Sequence, residues 1–229
     1  MRTRIVCACL VTALLAGCRE FTNPGNGSNG APSSVRVVNA FGVPVDVFVD
    51  GSLVVSGVPP GELDTVAQPP GDHAVGFAAS GGAPVSVHVT TVADGINTVA
   101  AVRIGAALAA SDLDDTAAIV PAGATKVRVL HLAPSAGEIS VYRTQPDWGT
   151  PIAWQFPFTY DSVTTGPGCP YYQSTVGTWD VRAWRTPSED SLGWAGTTAH
   201  VTVNLRSGEK RTVLVLDKPG GGIKLRVID

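Results

Sequence analysis

The chain has 229 residues, of which only 15% are charged, and its 16 Lys and Arg against 19 Asp and Glu give a formal net charge of −3. Proteins that bind nucleic acid usually carry a basic patch that meets the phosphates, and this mildly acidic composition argues against nucleic acid as a partner. The length is sufficient for one or two domains.

The N-terminus has the layout of a bacterial lipoprotein signal. Arg2 and Arg4 form a basic start, and the apolar run Ile5–Leu15 that follows is too short to span a bilayer, which takes about 20 apolar residues. Leu15-Ala16-Gly17-Cys18 resembles a lipobox, where signal peptidase cuts before a cysteine that carries diacylglycerol. The sequence therefore predicts a signal peptide over 1–17 and lipidation of Cys18. The alternative is an ordinary secretory signal in which Cys18 is incidental.

This signal fixes the expected location. Two or three acyl chains hold a protein firmly on a membrane, so we expect a lipid-anchored protein of the cell envelope, on the periplasmic side or at the outer-membrane surface. Residues 18–33 follow the cut and are rich in Gly, Asn, Ser and Pro. Such a composition cannot bury enough apolar surface to fold, and it predicts a flexible stalk. Cys169 is then the other cysteine of the mature chain, expected to be an inert loop thiol or to have an intermolecular or redox role.

The rest of the chain alternates apolar and polar residues with period two. Val45, Val47 and Val49 show the pattern in the first half, and Val201 and Val203 show it in the second. Such alternation places one set of side chains on a single face of a β-strand. Turn signals such as Asp-Gly and Pro-Gly recur every 8–12 residues. The pattern predicts an all-β fold of two tandem antiparallel β-sandwiches, immunoglobulin-like or transthyretin-like.

An internal repeat supports two domains. Val35-Arg36-Val37-Val38 resembles Val127-Arg128-Val129-Leu130, which lies 92 residues later, and four further segments recur in the same order. The sequence predicts a first sandwich over 34–105, a linker over 106–123 and a second sandwich over 124–229. Within the linker, 106–118 is rich in Ala, Asp and Leu and predicts either a short helix or a loose connection.

The motifs of the first repeat resemble those of a known bacterial family. They are Val-Arg-Val at 35–37, Pro-Val-Asp-Val-Phe-Val-Asp-Gly at 44–51, Pro-Pro-Gly at 59–61 and Pro-Gly-Asp-His at 70–73. Together they resemble the domain of unknown function 4397 family, whose members are secreted or lipid-anchored and often tandem. The resemblance covers about 34–229, but the second repeat lacks the Asp of the strand motif and has an insertion over 164–176. The resemblance implies fold, export and tandem layout, and no reaction.

The sequence carries no catalytic or metal-binding motif. His73, His88, His131 and His200 lack metal-ligand spacing, and neither a nucleophile elbow nor a phosphate-binding glycine loop is present. The positions of His88 and His200 predict exposed sheet faces, whereas His131 is expected to be a hydrogen-bonded core residue. The acidic run 112–115 predicts a solvated linker, with a calcium site as the alternative. We therefore expect a non-enzymatic protein without cofactor or metal.

Aromatic residues are concentrated in one segment, 148–172, which holds Trp148, Trp154, Phe156, Phe158, Tyr160, Tyr171 and Tyr172. An exposed aromatic face could stack on sugar rings or bind a protein. The candidate ligand-binding residues are Trp148, Trp154, Tyr160, Tyr171 and Tyr172. The competing interpretation is that the segment fills the second core or the contact between the domains.

These features predict a non-catalytic, envelope-anchored lipoprotein that acts as a protein-interaction or spacer module. Its expected partners are the membrane, through the lipid, and an envelope protein or glycan. The alternative function is a carbohydrate-binding or adhesion module that uses segment 148–172.

Overall fold

The computed structural model describes residues 31–113, 120–146, 152–158, 171–185 and 199–228, with the backbone alone for 152–158 and 184–185. In these ranges the chain forms sixteen β-strands and no helix. The described residues accordingly include no helix that is long and apolar enough to cross a membrane.

The first repeat contains eight strands in two sheets. The strands are β1 (Ser33–Asn39), β2 (Val45–Val49), β3 (Ser52–Val58), β4 (Leu63–Gln68), β5 (Gly71–Ala79), β6 (Val85–Thr91), β7 (Ile96–Ile104) and β8 (Ala107–Asp112). One sheet has the order β4-β1-β7-β8 and the other has the order β3-β2-β5-β6.

The second repeat has the same arrangement. Its strands are β9 (Thr125–Leu132), β10 (Ile139–Thr144), β11 (Ile152–Phe158), β12 (Tyr172–Ser174), β13 (Gly177–Arg185), β14 (Ala199–Leu205), β15 (Lys210–Asp217) and β16 (Ile223–Ile228). Their sheets are β12-β9-β15-β16 and β11-β10-β13-β14, so that each strand takes the place of the strand eight positions earlier.

The strand order separates the two predicted sandwich types. An immunoglobulin sandwich pairs its first two strands in one sheet, whereas here β1 lies between β4 and β7, and β2 is in the opposite sheet. The all-β sandwich prediction is confirmed, and the order differs from that of the immunoglobulin-like arrangement. One pairing in each repeat is not antiparallel: β1 pairs in parallel with β7, and β9 with β15. Two parallel strands need a long connection, because the chain must return to the end where it started. Here the strands of the other sheet lie between the paired strands in the sequence and provide this connection.

Each repeat has its own apolar core between its two sheets. Val37 and Val99 meet Val47 and Phe77 in the first, and all four are fully buried. In the second core Val129 and Val215 of one sheet meet Ile139 and Val181 of the other. The valines that alternate in the sequence therefore point inward, as predicted.

The two repeats also pack against each other through a third apolar cluster, which we call the seam. It joins the outer faces of β4-β1-β7-β8 and β12-β9-β15-β16 and consists of Val38, Ala40, Ala100, Val102, Leu113, Leu130, Leu132, Leu214, Leu216 and Ile228. Both sheets are thus covered on both faces, and the four sheets form one stack. The domain boundaries given above remain predictions, but the repeats share a core.

The predicted linker over 106–123 is wrong for residues 107–112. These residues form β8, which pairs with β7 from Val99↔Asp112 to Ile104↔Ala107. Leu108 and Ala110 pack on the first core and Ala109 packs on the seam, which is the two-residue alternation of a strand and not the period of a helix. Residues 114–119 lie outside the described ranges.

Candidate functional site

Only part of the predicted aromatic site falls on described side chains. Trp148 and Tyr160 lie outside the described residues, as does Cys18, and Trp154 is on β11, where only the backbone is described. Tyr171 and Tyr172 can be placed, and they have different roles.

Tyr171 is held by contacts within the second repeat. The guanidinium carbon of Arg128 lies 4.6 Å from the centre of the Tyr171 ring. The Tyr171 hydroxyl lies 3.0 Å from Thr212 Oγ1. The Nζ atom of Lys210 is 5.8 Å from the same ring. A ring stacked on one cation, beside a second, and hydrogen-bonded at its tip is fixed in place. Tyr171 is therefore a packing residue, in agreement with the interpretation that the aromatic segment fills the second core or the contact between the domains.

Arg128 is the centre of this cluster, and the sequence analysis did not single it out. It is 5% exposed, its Nε donates a hydrogen bond of 2.9 Å to Thr212 Oγ1, and its Nη1 donates to the carbonyl oxygen of Leu113. The Leu113 N–H in turn donates to Thr98 O at 2.9 Å. Arg128 thus ties the end of the first repeat to the second. Its position between two valines of a largely buried strand was the signal in the sequence.

Tyr172 lies at the start of the short edge strand β12 and is 40% exposed. It pairs in register with Val127 of β9. The two tyrosines therefore do not form a shared exposed face, and a role for Trp148, Trp154 and Tyr160 in ligand binding stays a prediction.

We expect Tyr171→Ala to lower the free energy of unfolding by about 2–4 kcal/mol, because it removes a partly buried ring, a cation–π contact and a hydrogen bond. Tyr172→Ala is the matched control and should cost less than about 1 kcal/mol, because its ring is exposed. Thermal unfolding of both variants measures the difference. Equal losses for the two variants would contradict the packing role of Tyr171.

The outer face of sheet β11-β10-β13-β14 carries buried polar residues. Arg182 is fully buried, and its Nη2 lies 3.5 Å from Asp180 Oδ2, while Thr202 donates a hydrogen bond of 2.7 Å to Asp180 Oδ1. Burial lowers the pKa of Arg182 from its ordinary value, and Asp180 opposes this change. On the inner face, Arg143 stacks on Trp179 at 4.4 Å. Arg182 is thus paired with Asp180, and Arg143 is stacked on an aromatic ring.

The histidines are placed as the sequence predicted. His88 and His200 are exposed, and His131 is fully buried, with its Nε2 2.6 Å from Gly137 O and its Nδ1 accepting the N–H of Ala133. Burial lowers the pKa of His131 despite the bond to Gly137, so the ring is neutral. Among the described residues no three His, Cys, Asp or Glu side chains come together as a metal site.

His73 differs, because both of its ring nitrogens face acceptors. Nδ1 is 2.8 Å from Asp50 Oδ2 and Nε2 is 2.8 Å from Pro69 O. Burial favours the neutral ring, but the Asp50 and Pro69 bonds outweigh it and raise the pKa of His73. The His73 bond, helped by the Ala74 N–H, lowers the pKa of Asp50. This ion pair fixes the turn between β2 and β3.

The two buried histidines should make stability depend on pH in opposite directions. Protonated His73 stabilises the fold below its ordinary pKa of 6.5, and this contribution is lost as the pH rises through its raised pKa. Neutral His131 has the opposite effect, because the unfolded chain takes up a proton below 6.5 and stability falls there.

We therefore expect His73→Gln to lower the free energy of unfolding by about 1 kcal/mol in mild acid. The loss is this small because Asp50 is exposed and its charge is screened by solvent. In mild alkali, where His73 is neutral, the loss should vanish. Denaturant titrations across the neutral range measure it. His88→Gln, at an exposed position, is the control and should leave the profile unchanged. A loss of equal size at every pH would show that the ion pair does not form.

Comparisons with known proteins support the family resemblance over part of the chain and leave the function open. Curated proteins give no match. Among solved structures, the chain is similar to a family 26 carbohydrate-binding module from Eubacterium rectale Amy13K in complex with maltoheptaose, at 14% identity and a TM-score of 0.25, over 86% of this chain and 96% of that one. It is also similar to a DUF3823 family protein from Bacteroides ovatus, at 8% identity and a TM-score of 0.21, over 77% and 97%. TM-scores this low carry no functional argument.

The family comparison agrees with the motifs. Residues 33–142 match the family described as Domain of unknown function (DUF4397). The match covers all eight strands of the first repeat and continues through β9 into β10. The resemblance that the motifs of the first repeat predicted is therefore confirmed over residues 33–142.

Proposed function

We propose that this chain is a lipid-anchored, non-catalytic envelope protein whose two repeats act as one rigid interaction or spacer module. The observation that carries the proposal is the seam. Because the repeats share an apolar core, they are expected to move together and to present their outer surfaces at fixed positions. A rigid stack on a flexible stalk suits a protein that holds or spaces a partner.

The seam is supported by polar contacts at its margin. Lys224 Nζ lies 2.6 Å from Glu62 Oε1 and Arg226 Nη1 lies 3.1 Å from Glu62 Oε2, which links β16 to the turn before β4. These hydrogen bonds, first that of Lys224, lower the pKa of Glu62. The exposed pairs add little energy, but they fix the registration of the two repeats over the apolar contact.

The N-terminal segment supplies the expected attachment. A stalk over 18–33 would reach about 50 Å when fully extended, and a flexible chain of this length has a mean span of about 20 Å. The module would therefore stand clear of the membrane surface yet remain confined near it. An envelope protein is the partner class that this placement favours.

Lipidation of Cys18 is the first test. We expect the protein, expressed with its full N-terminus in a bacterial host, to incorporate an alkyne fatty acid and to enter the detergent phase in a phase separation. Cys18→Ser should abolish both properties, because the thiol is the atom that the lipid would modify. Cys7→Ser changes a cysteine of the predicted signal peptide and serves as the control, with labelling retained. Unlabelled wild type in the aqueous phase would refute the anchor.

The interaction role needs a second measurement on the anchored protein. Photo-crosslinking in the intact envelope should capture a discrete protein partner. Binding to purified envelope glycan in place of a protein would support the carbohydrate alternative instead.

A further inference from the structure

The stack of four sheets ends in two outward faces, and these differ between the repeats. In the second repeat the outer face of β11-β10-β13-β14 is buried, and Ser140 and Thr144 of β10 are fully so. The equivalent residues of β2 are Asp46, which is half-buried, and Asp50, which is exposed. The outer face of β3-β2-β5-β6, which we call the end face, is therefore open where its counterpart is not.

Strand register places an apolar strip across the middle of the end face. Val47 lies in the first core, so its neighbour Phe48 points to the opposite side of the sheet. Phe48 pairs with Leu53 of β3 on one side and with Gly76 of β5 on the other. Leu53 is 55% exposed, and Val54 beside it is 38% exposed. Adjacent exposed apolar side chains of this kind are typical of a surface that meets a partner.

The charges around this strip are all negative. Asp46 precedes Phe48 by two residues and Asp50 follows it by two, so both lie in line with it on β2, and Asp72 of β5 is also exposed. Residues 37–102 contain no Lys or Arg. The six acidic residues of that range are Asp46, Asp50, Glu62, Asp64, Asp72 and Asp94. The end face thus combines an apolar centre with carboxylates that no lysine or arginine of its own sheet neutralises.

Hydrogen bonds orient two of these carboxylates without removing their charge. Asp46 Oδ1 accepts from Ser56 Oγ at 3.0 Å and from the Gly57 N–H at 2.8 Å. Asp72 Oδ1 accepts from Thr90 Oγ1 at 2.6 Å. These contacts use Oδ1 in both residues, so that Oδ2 can accept from a cationic partner. The acids beside the strip are therefore held ready in position.

We propose that the end face docks an extended segment of an envelope protein in which lysine or arginine flanks an apolar residue at two-residue spacing. Side chains on one face of an extended chain recur about every 7 Å, which matches the line Asp46, Phe48, Asp50. A second copy of this face is a poor partner, because carboxylates would oppose carboxylates. The surface deepens the proposed interaction role, on which it rests for the location of the partner, by naming the partner's chemistry.

The peptide acetyl-Thr-Lys-Thr-Leu-Thr-Lys-Thr-amide is a probe with this pattern. We expect saturable binding to the full chain by ligand-observed NMR, with the chain in nanodiscs of zwitterionic lipid or, if it proves soluble, in buffer alone. Empty nanodiscs give the background. Added salt should weaken the binding, since it screens the charges. The same peptide with Glu for both Lys should not bind, and the one with Ser for Leu should bind about fivefold more weakly.

Matched variants locate the probe on the end face. Leu53→Ser should weaken binding about fivefold or more, as should the double change Asp46→Asn/Asp72→Asn. Asparagine keeps the oxygen that accepts the hydrogen bonds, and thermal unfolding checks that each variant is folded. Ile104→Ser, at a 50% exposed position of the other sheet, and Asp94→Asn, in the exposed turn before β7, should leave binding unchanged.

Several results would overturn the proposal: no saturable binding up to about 5 mM, equal affinity for the Lys and Glu peptides, or unchanged affinity in a folded Leu53→Ser variant. Dimerisation of the chain that Leu53→Ser abolishes would also do so, because a second copy would then occupy the face. In the envelope, a photo-crosslinking side chain in place of Leu53 should capture a segment with the stated pattern. Partner crosslinks from position 104 and none from position 53 would refute this surface and leave the proposed function standing.

Discussion

We expect Leu214→Ala to lower the free energy of unfolding by about 2–5 kcal/mol, the usual cost of truncating a fully buried leucine, and to destabilise both repeats together. Leu214 is fully buried in the seam, between Leu130 of β9 and Arg226 of β16 in register. The residue belongs to neither sandwich core. Its effect therefore reports on the contact between repeats.

The distribution of tryptophan allows the two repeats to be followed separately. All five tryptophans lie in the second repeat, so fluorescence follows that repeat, and hydrogen exchange over 33–112 follows the first. Coincident transitions, shifted equally by Leu214→Ala, are expected for one cooperative unit. Ile104→Ala is the control, because Ile104 is 50% exposed and should shift neither transition by more than a degree or two. Separate transitions, with only the second shifted, would contradict a shared core.

Alternation in the sequence was sufficient to predict the all-β fold and the inward-facing valines of the two inner cores. The repeat in sequence also corresponds to a repeat in topology, strand by strand from β1 and β9 onward. These features depend on neighbouring residues alone, because a strand with one buried face alternates apolar and polar residues with a period of two. Prediction of the fold class needed no more than this.

The seam was missed although the sequence contained a signal for it. Val99-Ala100-Ala101-Val102 in β7 and Val213-Leu214-Val215-Leu216 in β15 are continuous apolar runs, and all eight residues are buried. A strand that is apolar on both faces belongs to a sheet covered on both sides. The β8 strand was missed for a different reason. Three of its six residues are alanine, which has a weak strand preference, and pairing with β7 selects the extended form.

The candidate sites could be predicted even less well, because they depend on register between distant strands. Arg36 and Arg128 occupy equivalent positions in the repeat, and nothing local distinguishes them. Tyr171 and Leu113 cover one of them in three dimensions, while a cleft opens beside the other. The aromatic concentration in 148–172 was correctly noticed, but its packed member, Tyr171, was identified only by the contact with Arg128.

Gly61→Ala should be the most damaging single-methyl change at the seam. Gly61 has a φ of +75°, and a Cβ added there would lie 2.5 Å from the carbonyl oxygen of Asp217 and 2.9 Å from Cε of Lys224. The first contact is with backbone of the other repeat and cannot be relieved by a side-chain rotation. We expect about 1–2 kcal/mol from the left-handed conformation and a further cost of about 1–3 kcal/mol from the overlap.

Gly208→Ala separates these two costs. Gly208 has a φ of +82°, close to that of Gly61, but a Cβ there would meet nothing within 4 Å. Gly208→Ala should therefore show the conformational cost alone. In chemical denaturation it should lose less unfolding free energy than Gly61→Ala, and the difference is the cost of the overlap. Because Gly61 belongs to the first repeat and every tryptophan to the second, the fluorescence transition should move even though the substitution is in the other repeat. Two outcomes would contradict this contact: equal losses of unfolding free energy for the two variants, or a tryptophan transition that Gly61→Ala does not shift. In either case the β3–β4 turn does not approach Asp217 in solution, and the repeats are not docked as described.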